Sequence, residues 1–371
     1  LEICDKKYEI IWFYMKGIYK FLFAVSIFTI FFVILFYNNF NEKKNRLNDF
    51  NASDYNIYQI QKKFSNLFSD SIIILDEWKI YELELCCDFP TSFQVNSFKE
   101  IKLNKFEGYE DGEIRFYDPF VFYRKNNKNI LYEACFFDIK MKYNCTINLA
   151  KFINGNIVEN KILHNPEHKV SYPQVVILEG DKVFVSLEEV QSKNGLPGIY
   201  ELNKNDLTLV NKPIEARLYD TTYFYHKGTF YAFGTDTDGN LRLYYGKNPR
   251  VGKFTEHKSS PITSDLNLNR MAGNIIEMND KLYRFSMKNT EVYGGGINLI
   301  EIKTLNENNY EEKFLKEKIF SDTLIDNKTE LRHHIVLNDK SNKSGKIKVL
   351  IDGANFWPMA MHAKKMKKIK H

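Results

Sequence analysis

The sequence predicts an all-β fold, a five-bladed β-propeller, preceded by a single N-terminal transmembrane helix. Three observations carry this. First, a strand-turn-strand phrase recurs: YDPFVFYRKNNKNILYEA at 117–134, YPQVVILEGDKVFVSLEE at 172–189, YDTTYFYHKGTFYAFGTD at 219–236, MAGNIIEMNDKLYRFSMKN at 271–289, and a looser HHIVLNDKSNKSGKIKVLIDG at 333–353. Measured between Asp118, Pro173, Asp220, Gly273 and His334, the spacings are 55, 47, 53 and 61 residues. Second, each of the first four hairpins is followed by two more strand candidates, such as TINLAKF and NIVENKIL, or LRLYYGK and KFTEHK. Four strands per repeat is how a propeller blade is built. Third, GIYKFLFAVSIFTIFFVILFY at 17–37 has no charge after Lys20, which gives roughly the 20 apolar residues of a membrane-spanning helix.

In chain order, a short segment at 1–17 precedes the anchor at 18–37. Met15 also fits a translation start, which would leave 1–14 untranslated. Lysines flank both sides of the span (Lys16 and Lys20 before it, Lys43 and Lys44 after it), so charge does not decide its orientation. Residues 38–70 are polar and Asn-rich and read as a stem. The propeller occupies 71–358, a length of chain able to bury a large core, with 44% of all residues apolar and 15% aromatic. The last hairpin runs short of strands, so SIIILDEWKIYELEL, ahead of the first repeat, is expected to close the ring. A basic tail at 359–371 carries Lys364, Lys365, Lys367, Lys368 and Lys370, which account for the whole formal charge of +5. No basic face remains for nucleic acid. The tail reads as a solvated end or a weak contact to anionic lipid.

Four N-glycosylation sequons, at Asn51, Asn144, Asn327 and Asn342, all follow the span. They favour a lumenal or extracytoplasmic propeller, in the Golgi or endoplasmic reticulum if the source is eukaryotic. Among five cysteines, Cys86, Cys87, Cys135 and Cys145 lie in the propeller. One or two disulfides and buried free thiols fit equally. No CxxC or Cys/His cluster has zinc spacing, and no cofactor is expected. Asp236 and Asp238 have a calcium-loop spacing but lack its closing Glu, Tyr245 standing in that place, so a hairpin turn is expected. Tyr293-Gly294-Gly295-Gly296 opens no helix and reads as a sharp turn at a blade edge.

In a propeller the first strand of each blade lines the central channel, and its start faces the mouth. Here those starts bring together Asp118, Ser171 and Tyr172, Asp220, Arg270, and His333 and His334. Carboxylates bind sugar hydroxyls or move protons, tyrosines stack on pyranose rings, and Arg holds an anion. Asp118 and Asp220 are therefore candidate acid-base residues, with Glu188 a further acid. Tyr172, Arg270, His334 and Tyr293 are candidate substrate ligands. Asp at a strand start also caps turns, and that reading stays open. Glu133 and Glu189 read as solvated or strand-end charges.

The phrases YDPFVF, HKVSYPQVVILEGDKVFVSLEE, YDTTYFYHKGTFYAFGTD, SPITSDLNLNRMAGNIIEMNDKLYRF, VYGGG, HHIVL and IDG resemble, in order, the N-terminal domain of the glucosamine inositolphosphorylceramide transferase family. That domain is similar to the five-bladed propellers of the arabinanase, levansucrase and invertase superfamily. The resemblance covers about 71–355. It implies functional positions at Asp118, Ser171, Tyr172, Pro173, Glu188, Asp220 and Arg270. Tyr117 departs from the family's Ala, and Met287-Lys288 from its Gln-Asp. It also implies a glycan or glycolipid head group as ligand and a separate glycosyltransferase as partner, since the transferase domain has no counterpart after 355. Glycoside hydrolysis by paired carboxylates and a non-catalytic glycan-binding scaffold are the alternatives. The Ser171-Tyr172 start of the second repeat lacks the acid that arabinanase-like hydrolases place there.

Overall fold

The computed structural model describes residues 76–103, 114–137, 143–189, 195–290, 293–320, 331–338 and 346–356. The expected span at 18–37, the stem and the basic tail lie outside these residues. Among the described residues no helix is long and apolar enough to cross a membrane.

Among the described residues, twenty strands form five four-stranded antiparallel sheets, the five blades. Blade one is β3 (Ile114–Arg124), β4 (Asn127–Phe137), β5 (Tyr143–Ile153) and β6 (Asn156–His164). Blade two is β7 (Ser171–Glu179), β8 (Lys182–Glu188), β9 (Gly198–Leu202) and β10 (Leu207–Asn211). Blade three is β11 (Leu218–His226), β12 (Thr229–Asp236), β13 (Leu241–Gly246) and β14 (Thr255–Glu256). Blade four is β15 (Ile276–Met278), β16 (Lys281–Met287), β17 (Ile297–Leu305) and β18 (Tyr310–Lys316). The recurring phrases are the inner hairpins, as expected.

Blade five joins the two ends of the domain. Its inner strands are β19 (Ile335–Leu337) and β20 (Lys346–Phe356), and its outer ones are β1 (Asp76–Asp88) and β2 (Ser92–Glu100), in the order β19-β20-β1-β2. β1 pairs with β20 along eleven residue pairs, from Asp76↔Phe356 to Cys86↔Lys346. The strands before the first repeat therefore supply what the last repeat lacks, and the ring has no open seam.

Strand burial follows position in the ring. Inner strands such as β8, KVFVSLE, are buried along nearly their whole length, because both faces meet neighbouring blades. The outer β2 and β18 alternate between exposed and half-buried positions. The core is correspondingly divided among the blade interfaces. Leu131 and Leu149 of blade one pack with Val183 and Val185 of blade two. Phe285 and Leu299 of blade four pack with Leu83 and Val349 of blade five. Ile80 and Leu350 of blade five pack with Phe120 and Ile130 of blade one. This leaves the axis free to carry polar groups.

Cys135 and Cys145 face each other across β4 and β5 and form a disulfide. Asp236 caps its turn, its Oδ1 accepting the N–H groups of Asp238 (3.0 Å) and Asn240 (2.8 Å).

Candidate functional site

The inner strands of blades one to three share a backbone device. Pairing slips between Tyr117 and Phe120, between Ser171 and Gln174, and between Tyr219 and Thr222. Inside each bulge one residue is left-handed: Asp118 (φ 47°), Tyr172 (φ 54°) and Asp220 (φ 51°). Asp tolerates this region better than most residues, whereas for Tyr it is uncommon; a bulge beside a site re-aims a side chain. In blade four Gly273 takes the sharp conformation (φ 110°), and a Cβ there would lie 1.8 Å from the Ile335 carbonyl oxygen.

Above the bulges lies a cavity of about 260 Å³. Asp118, Glu188, Asp220, Arg270 and Tyr293 line it, as do Glu133, Lys169 and His333. Tyr172 and His334 do not. They lie buried beneath it, 2% and 0% exposed, with the Tyr172 ring edge-on to Phe120 and His334. The Tyr172 hydroxyl accepts the Gly273 N–H (3.0 Å) and lies 2.8 Å from Thr222 Oγ1. A single side chain of blade two thus ties blades three and four across the axis.

Around the cavity the charges are interlocked. The Asp220 N–H donates to Glu188 Oε2 at 2.7 Å, and Arg270 Nε donates to Asp220 Oδ2. The Arg270 guanidinium also lies over the Tyr219 ring, 5.1 Å from its centre. Asp352, fully buried outside the cavity lining, accepts the N–H groups of Asp118 (3.1 Å), His333 (3.2 Å) and His334 (3.0 Å). His333 Nδ1 lies 2.9 Å from Asp352 Oδ2, and His334 Nδ1 lies 3.4 Å from Asp118 Oδ1. The Trp78 ring packs on His333 at 4.4 Å, and Tyr293 meets His333 edge-on at 5.3 Å.

These surroundings push the acids apart. Burial opposes ionisation of Asp118, but His334, His333 and Lys169 outweigh it and hold its pKa down to about 2. Burial and the Asp220 charge raise Glu188 to about 7, with Arg270 opposing. Burial, together with Asp118 and Glu188, pushes Glu133 well above the usual carboxylate range, with only Lys169 of its main neighbours opposing. The cavity therefore offers an ionised Asp118 beside carboxyls that keep their protons to higher pH.

Glu133 corrects the sequence reading. It is 3% exposed on the cavity wall, not solvated, because it pairs with Tyr117 across β3 and β4 at the bulge. Glu189 is also buried, beside Tyr200, Lys212, His164 and His168. Strand-end position alone suggested solvent for both. The signal that was available is their place at the second strand's end of an inner hairpin, the level of the channel mouth. Lys169 and Asp352 lie within the phrases HKVSYP and IDG, but position in the repeat does not single them out.

Asp118, His333 and Asp352 have ligand atoms within 4.8 Å of one another. Burial disfavours an imidazolium at His333, but the Asp352 and Asp118 charges outweigh it and raise its pKa, so the trio closes as an ion-pair cluster. Glu133 lies near Cys135 and Cys145, whose disulfide leaves no thiolate to bind a metal.

Comparison with curated proteins finds no match. Among solved structures, the alpha-L-arabinofuranosidase of Podospora anserina in complex with cellotriose is 10% identical, with 68% of this chain and 94% of that one covered and a TM-score of 0.46. A xylan beta-1,4-xylosidase of Bacillus halodurans is 10% identical over 65% and 55% of the two chains, with a TM-score of 0.43. A Hadza microbial sialidase is 10% identical over 74% and 59%, with a TM-score of 0.45. Likeness at this level assigns neither substrate nor reaction. The family described as glucosamine inositolphosphorylceramide transferase 1, N-terminal, matches residues 112–354, nearly the whole ring, and the chain belongs to that family.

Proposed function

We propose that this chain is a membrane-anchored, carbohydrate-active propeller that binds a glycan or glycolipid head group in the axial cavity. It acts in glycoconjugate assembly or trimming, with a separate glycosyltransferase as partner. One observation carries this reading: the mouth ends of blades one to four bring Asp118, Glu188, Asp220 and Arg270 to one buried cavity. Carboxylates there accept sugar hydroxyls, and burial makes each such bond count. Arg270, whose Nε is engaged by Asp220, offers its terminal nitrogens to a phosphate or carboxylate. Tyr293, 52% exposed, presents an aromatic face at the mouth. The family's name supports a glycolipid context. The Cys135–Cys145 disulfide and the sequons support a lumenal or extracytoplasmic propeller, and the apolar run at 18–37 supports the anchor.

The test is a binding screen of the full chain against glycans and nucleotide sugars. Asp118→Asn and Asp220→Asn are each expected to weaken binding by roughly 10- to 100-fold, the value of a charged hydrogen bond. Binding that survives both substitutions would place the ligand elsewhere.

A second reading, glycoside hydrolysis, is favoured by the separation of Glu188 at about 7 from Asp118 at about 2. Glu188 would protonate the departing glycosidic oxygen as its bond to the anomeric carbon breaks. Asp118 would take a proton from the water whose oxygen forms the new bond. Release of aryl alcohol from aryl glycosides, lost in Asp118→Asn, would establish it. A Glu188→Gln variant should keep activity only on leaving groups that need no proton.

A further inference from the structure

We infer that the cavity receives one terminal sugar residue of its ligand and does not thread an internal one. This rests on the carbohydrate reading above and adds to it which part of a glycan is recognised. Two observations support it independently.

The first is the floor. A propeller channel can run from face to face, but here Tyr172 crosses the axis below the acids, joined to Gly273 of blade four and Thr222 of blade three. Beside it Gln174 closes another span. Its Nε2 donates to Asn274 Oδ1 (2.7 Å) and to the Tyr223 carbonyl (3.0 Å), and its Oε1 accepts the Tyr223 N–H (2.6 Å). Phe120 and His334 pack against the Tyr172 ring, both 0% exposed. A ligand entering the mouth thus meets a hydrogen-bonded wall. The left-handed bulge makes this possible, since the position that carries an acid in blades one and three carries the plugging phenol in blade two.

The second is size. A dry cavity of about 150 Å³ holds a benzene ring, or roughly 25 Å³ for each heavy atom. On that scale the 260 Å³ of this cavity suit about ten heavy atoms. A pyranose ring with its substituents has about a dozen, and a disaccharide about twice as many. One residue fills the cavity, its last atoms reaching the mouth, and the rest of the glycan must stay outside.

A blind cavity of this size also explains the crowding of polar groups on its wall. A terminal residue has only one glycosidic bond leading out, so its remaining hydroxyls all face protein. Asp118, Glu133, Glu188 and Asp220 supply acceptors, and burial, which favours the neutral carboxyl at Glu133 and Glu188, adds donors there.

The test uses the full chain in detergent micelles. The probes are the methyl glycoside of the monosaccharide scoring highest in a panel of methyl glycosides, its linear oligomers of two to four residues, and a tetramer O-methylated at its non-reducing end. A second tetramer carries the same O-methyl groups at its reducing end instead. Affinity is expected to stay within about threefold from one residue to four. One capped tetramer should lose at least about thirtyfold while the other binds normally. Affinity that climbs about tenfold with each residue, or equal binding of both capped tetramers and the uncapped one, would overturn the inference. Failure of every glycoside to bind would remove the carbohydrate reading itself, and this inference with it.

Discussion

Glu188 and Glu189 are chain neighbours at the end of β8, 8% and 7% exposed, yet they behave oppositely. Successive residues at a strand end point to opposite faces. Glu188 faces the axis, where burial and the Asp220 charge lift its pKa to about 7 against the pull of Arg270. Glu189 faces the gap towards blade one. There burial is outweighed by His164, Tyr200 and Lys212, and its pKa falls to about 2. The Tyr200 hydroxyl donates to it at 2.6 Å and Lys212 Nζ lies 3.3 Å away. Burial alone therefore does not separate an acid of the cavity from one that only ties strands together. The partners do: beside Glu188 the Asp220 charge works against ionisation, whereas the groups around Glu189 favour it.

The largest expected effect tests the axial side. Arg270→Met strips Asp220 of its cation and should cost about 3–5 kcal/mol in denaturant unfolding, the usual result of stranding a buried charge. Arg250→Met, whose partner Glu179 is 54% exposed, should cost only about 0–1 kcal/mol. Equal losses would mean that the axial pair is no more protected than a surface one. On the other side, Glu189→Ala leaves the Tyr200 hydroxyl and Lys212 unpartnered and should cost about 1–3 kcal/mol by the same measurement.

Acidity sharpens the contrast further. Glu188 keeps its proton to higher pH when folded than when unfolded, so its contribution is fully present below about 4.5 and is lost as pH rises towards about 7. Glu189 has the opposite sign: its contribution is present above about 4.5 and is lost as pH falls towards about 2. Stability curves of Glu188→Gln and Glu189→Gln should therefore flatten on different sides of pH 4.5. Flattening of both on one side would show that the two residues share an environment. The smallest effect concerns the mouth, where Tyr293→Ala should weaken glycan binding about tenfold with little loss of stability, since stacking of this kind contributes roughly 1 kcal/mol.

The ring was legible because its hairpins repeat in sequence, and the early strands were assigned to the last blade simply because it lacked two. The strand starts located Asp118, Asp220 and Arg270, and the hairpin end located Glu188, since position in a repeat fixes height along the axis. Side-chain direction was less legible. Tyr172 occupies the same bulge position as the two aspartates, yet its length carries the hydroxyl across to Gly273. Glu133 read as solvated because the groups that set its ionisation, Lys169 and Asp118, lie in other strands and loops. Asp352 lies more than 200 residues from Asp118, and only ring closure brings it to the Asp118 N–H.

The composite fifth blade also imposes an order on synthesis. β1 is made early, but its partner β20 follows roughly 260 residues later, so at roughly 5–20 residues per second the first hairpin waits some 13–50 s for its neighbour. During that interval β1 has an unpaired edge, the kind of strand on which chains aggregate. Asp352 arrives with β20, the last described strand, and receives the Asp118 N–H, so this support of a cavity-lining residue forms only when that strand is in place. A chain cut short before Asp352 would lack both that acceptor and the end of the strand that covers the β1 edge, and would stay open to aggregation at the ring closure.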